Sequence, residues 1–151
     1  MAKTPKLMAV QGAAVLVAAA FLIVGVLGFI PGVTTHYDQL QWLGHHSDAR
    51  LFGVFEVSVL HNLVHMAFGV AGLAMARSYA MARAYFLLGG LAYLGLWFYG
   101  LSVDEHSKAN FVPVNNADNW LHFGLAIGMV LLGVTLAGQH DPTKRRTKVR
   151  S

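Results

Sequence analysis

The sequence predicts an all-α fold, a four-helix bundle built into a membrane. Three observations carry that prediction. The 151 residues are 56% apolar and only 12% charged, far from the balance of a soluble domain. Four continuous apolar runs approach the roughly 20 residues that a helix needs to cross a bilayer. The runs do not alternate polar with apolar, and four strands could not close a barrel, so spanning strands are improbable.

Span 1 runs from about Met8 to Ile30 and stops at Pro31-Gly32. It follows Lys3 and Lys6, but its length and the lack of a small-x-small cleavage site favour an uncleaved signal-anchor. Span 2 covers about residues 51–76 and carries Glu56. The turn "RSYAMAR" leads to span 3, about 84–101, whose Tyr93, Trp97 and Tyr99 fit an interfacial aromatic belt. Span 4 covers about 119–137. Its expected N-cap is Asn116 or Asp118, after the turn residues "PVNN". Residues 1–137 thus form one domain, and 138–151 form a basic tail with Lys144, Arg145, Arg146, Lys148 and Arg150.

Charge distribution sets the expected orientation. Lys3, Lys6, Arg77, Arg83 and the basic tail fall on one side, whereas Arg50 and Lys108 share the other with Asp38, Asp48, Asp104, Glu105 and Asp118. The positive-inside rule then places both termini in the cytoplasm of a plasma membrane. Outer loops follow at 31–50 and 102–118. The tail is expected to meet anionic lipid headgroups. A nucleic-acid groove does not fit this layout. The absence of cysteine excludes disulfides and thiolate chemistry.

The most informative signal is a repeated polar pair. "VLHNLVHMAFGVAGLAMA" (59–76) and "ADNWLHFGLAIGMVLLG" (117–133) share Asn-x-x-His at an offset of 57 residues. At about 100° per residue, His61, Asn62, His65, Gly69, Gly72 and Ala76 form one stripe. Asp118, Asn119, His122, Ala126, Met129 and Gly133 form its counterpart. Spans 2 and 4 are therefore expected to face each other across the bundle, with spans 1–2 and 3–4 as a parallel two-helix repeat. Three readings of the polar groups compete. They form a structural network between helices. Alternatively His65 and His122 hold a haem or a metal. Or they mark a polar path in a small oligomeric transporter.

Other candidates are weaker. Gly124 and Gly128 form a GxxxG facing away from His122, and Ala67, Ala71 and Ala74 face away from His65. These small residues suit packing within the chain or against a partner protein. His36, His45, His46 and Asp48 in the first outer loop are possible metal ligands, though their spacing matches no zinc pattern. Leu40, Trp42 and Leu43 could point inward from a short amphipathic turn lying on the membrane surface, and Glu56 is expected near the headgroups or paired with Arg50 or Lys108. No serine–histidine, paired-carboxylate or phosphate-loop arrangement is present, so an enzyme is not expected and no cofactor is required.

With these elements placed, the sequence resembles the bacterial membrane family called domain of unknown function 4383. The most specific pieces are "LFGVFEVSVLHNLVHMAFGVAGL" and "NNADNWLHFGLAIGM". The resemblance covers nearly the whole chain and implies an actinobacterial setting. It brings no activity and no catalytic residue. It does imply that Asn62, His65, Asn119 and His122 belong to a family pattern. The expected function is that of a non-enzymatic accessory or scaffold subunit, packed against a larger envelope complex such as a lipid or solute transporter.

Overall fold

A computed structural model describes residues 7–44 and 47–136. Its main elements are helices α1 (Ala9–Leu27), α2 (Val59–Met75), α3 (Tyr79–Ser102) and α4 (Asn116–Thr135). Helices α1, α3 and α4 are long and apolar enough to cross a membrane. Helix α2 is apolar but has 17 residues, or about 26 Å of rise.

Span 2 begins later than the sequence suggests. Residues 50–58 are not helical, because Phe52 and Gly53 both adopt positive φ, at 53° and 72°. Two consecutive residues of that kind make a tight hairpin turn. Strands β2 (Arg50–Leu51) and β3 (Phe55–Glu56) flank this turn, and β1 (Thr34–Thr35) completes a three-stranded antiparallel sheet in the order β1-β2-β3. The apolar run had hidden a strand–turn–strand, since a short apolar run reads alike as strand or as helix. Helix α3 in turn begins earlier than expected, at Tyr79, capped by Ser78. The interhelical turn is therefore only Ala76, Arg77 and Ser78.

The helices pack as two antiparallel pairs, α1 with α2 and α3 with α4, and these two interfaces are the most extensive in the molecule. The pairs meet mainly through α1–α3 and α2–α3. At their centre lie Phe21, Phe68, Tyr85 and Tyr93. Phe21 and Tyr93 stack with centroids 5.7 Å apart, and Phe68 meets both rings edge-on. Tyr93 is thus a core residue rather than a belt residue. A smaller apolar cluster of Ala49, Leu51 and Val57 ties the sheet to the end of α1. Trp42 and Leu43 are exposed, whereas Leu40 packs on that cluster.

Candidate functional site

Each helix carrying the Asn-x-x-His element begins with a cap four residues before the asparagine. Ser58 accepts from His61 N at 3.1 Å. Asn115, not Asn116 or Asp118, caps α4 and accepts from Asp118 N at 2.9 Å. Asp118 returns the bond from Asn115 N at 3.1 Å, completing a capping box. Its same oxygen accepts from Glu56 N at 3.0 Å, so α4 is fastened to β3. Asn115 Nδ2 adds a bond to Val54 O at 2.9 Å.

Glu56 is a strand residue facing Arg50 across β2–β3, with a 3.5 Å ion pair. Burial raises its pKa above the ordinary value, and the neighbouring Glu105 carboxylate adds to the rise. Arg50 opposes it, Asp48 adds to it, and His106 opposes it. These groups line a polar cleft of about 240 Å³. Among the described residues no group of three His, Cys, Asp or Glu side chains is placed to hold a metal ion. His45, His46 and the basic residues of the tail lie outside the described residues.

The buried faces of α2 and α4 carry Asn62, His65, Gly69 and Gly72 on one, and Asp118, His122, Ala126, Met129 and Gly133 on the other. His61, His65 and His122 line two cavities in common. The asparagines take a different part. Asn62 rests on Gly28 of the α1 end, and Asn119 rests on Gly100 of α3; a Cβ at either glycine would strike the amide. No hydrogen bond joins an asparagine to a histidine among the described residues. His65 Nδ1 instead bonds His61 O at 3.0 Å. A carbonyl only accepts, so Nδ1 carries the hydrogen and Nε2 keeps its lone pair. Asn62 Nδ2, Asn119 Oδ1, and Nδ1 of His61 and His122 are buried without partners among the described residues.

Contacts in the two helix pairs match when α1 is shifted by 72 residues and α2 by 57. Phe21 meets His65 with centroids 5.6 Å apart, and Tyr93 meets His122 at 5.5 Å. Gly69 abuts Ala18, and Ala126 abuts Gly90. Gln11 Nε2 donates to Ala76 O at 3.0 Å, and Arg83 Nε donates to Gly133 O at 3.3 Å. A single offset of 57 cannot show this, because matched positions on the two helices of the first pair stand about 15 residues further apart in sequence than those of the second. Gly28, Gly100, Phe21 and Tyr93 were for that reason missed as partners of the polar pairs. Two offsets, one for each helix of the pair, would have found them.

The cavities lie in the seams between the pairs. One, of about 220 Å³, is bounded by Val24 of α1, Leu121 and Leu125 of α4, and the hairpin residues Phe52 and Phe55. The other, of about 110 Å³, is bounded by Val64 of α2, Leu96 of α3, and Phe111–Pro113. Val24 and Leu96 correspond under the 72-residue shift, as Val64 and Leu121 do under the 57-residue shift. Both volumes fall below the roughly 300–1,000 Å³ of pockets for drug-sized ligands.

These features define a small helical protein with three membrane-length helices and a histidine-lined interior. The chain belongs to the family described as "Domain of unknown function (DUF4383)", whose model matches residues 11–135. No curated protein and no solved structure matches it.

Proposed function

We propose that this chain is a non-enzymatic accessory subunit in a bacterial plasma membrane. All four helices cross the bilayer as a parallel two-helix repeat, with both termini cytoplasmic. The hairpin sits at the outer headgroups and makes up the length that α2 lacks against a hydrocarbon core of about 30 Å. The matched contacts of the two pairs support the repeat, and the distribution of lysine and arginine supports the orientation.

The observation that carries the accessory role is the outward small-residue face. Gly124 and Gly128 have open space where a side chain would stand. Ala67, Ala71 and Ala74 are exposed. The sequence left open whether these residues pack within the chain; Gly25, Gly69 and Gly90 supply internal close approaches, which supports a role for the outward face elsewhere. In a bilayer such faces let a neighbouring helix approach closely. A larger envelope assembly, such as a lipid or solute transporter, is the partner this reading expects. Affinity purification of the tagged native protein in mild detergent should recover a stoichiometric membrane companion. The double variant G124L/G128L should lose that companion yet keep its helicity. A lone monomer from the native membrane would defeat the reading.

A further inference from the structure

The buried polar groups between the two seams are arranged as a binding site. Asn62 and His122 are each only 2% exposed, and each keeps a side-chain atom unpaired while lining the 220 Å³ cavity. Unpaired polar atoms this deep are costly, at about 1–3 kcal/mol each, and they call for an occupant that satisfies them. The cavity wall is otherwise aliphatic and aromatic, and no lysine or arginine lines it. An anionic headgroup would therefore find no countercharge. Asp118, the one carboxylate there, accepts through Oδ2 from Glu56 N and Asn115 N.

Asn62 Nδ2 is a donor buried without a partner among the described residues, and His65 Nε2 is an acceptor whose lone pair is fixed by the Nδ1 bond to His61 O. One hydroxyl satisfies both, since it accepts from the amide and donates to the imidazole. Size narrows the class. An apolar cavity of about 150 Å³ takes a benzene ring, so 220 Å³ holds a ring with its hydroxyl and little more. The α1–α4 contact is among the sparsest between helices, and Val24 and Leu125 line the cavity on its two sides.

We infer that the cavity between α1, α4 and the hairpin binds the neutral phenol or quinol ring of a membrane-soluble molecule, with the hydroxyl between Asn62 and His65 and the alkyl chain leaving through the α1–α4 seam. This goes beyond the accessory role and does not depend on a companion protein.

The test uses the full chain in lipid nanodiscs, with para-pentylphenol as probe and para-pentylanisole as the probe lacking a donor. Saturation-transfer NMR should show the phenol binding, with the anisole weaker by about tenfold, the loss expected for one hydrogen bond. H65F and N62L should each weaken the phenol by a similar factor. V24W, which leaves the polar groups intact and fills the cavity, should abolish binding. Should H65F fail to fold, nitrogen NMR of the unmodified protein gives the same answer: the His65 Nε2 resonance should move on adding the phenol and stay put on adding the anisole. No binding of the phenol, equal binding of the two probes, unchanged binding by V24W, or an unmoved His65 resonance would each overturn the assignment.

Discussion

The α1–α2 pair and the α3–α4 pair solve one packing problem with different side chains. In both, a small residue on one helix lets the backbone of its neighbour approach: Gly69 against Ala18, and Gly90 against Ala126. In both, a ring from the first helix packs on the histidine of the second. The pairs differ where a residue does something besides packing. Gly25 leaves room for Met66, whereas Trp97, its counterpart, packs on Phe123 with centroids 4.7 Å apart. His61 joins the histidine cluster, whereas Asp118, its counterpart, holds the hairpin. Backbone proximity tolerates almost no change, because a single added methylene in a close-packed contact is felt at once. Caps and loops tolerate more, since several side chains can satisfy the same amide.

The largest effects should come from breaking the close approaches. A Cβ on Gly69 would lie 2.8 Å from Ala18 O, and one on Gly90 would lie 3.1 Å from Ala126 O. G69V and G90V should each destabilise by roughly 1–3 kcal/mol, measured by unfolding in detergent. Comparable losses are expected if the two contacts are equivalent, and a large loss at only one site would break the comparison.

A middle-sized effect should separate the caps. S58A removes one capping bond and should cost about 1 kcal/mol. D118A removes its own bonds to Asn115 N and Glu56 N and should cost about 1–3 kcal/mol. Hydrogen exchange should then show the amides of Phe55 and Glu56 opening in D118A but not in S58A.

The smallest effect concerns pH. Glu56 binds its proton more tightly in the folded chain than at its usual value of 4.5. Stability should therefore fall as pH rises from that value through the raised one, because the folded state holds the extra proton. E56Q should flatten this decline in thermal unfolding curves taken across the acid range. A decline as steep in E56Q as in the parent would show that other groups set it.

Much of this was legible in the residues themselves. Apolar run length gives the helices, because a helix buries its own backbone bonds and needs only apolar side chains to enter lipid. The 3.6-residue period gives the two buried stripes, and His65, Ala126, Met129 and Gly133 fall where that period puts them. Local sequence also carries the cap of α4, although Asn115 takes the N-cap place expected of Asn116 or Asp118, and Asp118 closes the capping box.

Only the tertiary structure decided what those stripes touch. Phe21 and Tyr93 are unremarkable letters in apolar runs until folding stacks them and lays each against a histidine. Asn62 and Asn119 look like partners for imidazole, yet each is seated on a glycine of its own pair. The hairpin at Phe52-Gly53 was likewise hidden, because a short apolar run reads alike as strand or as helix. Periodicity fixes the direction a side chain takes from its own axis. The distance and rotation of the neighbouring helix, which set what it meets there, arise from contacts between residues far apart in the chain.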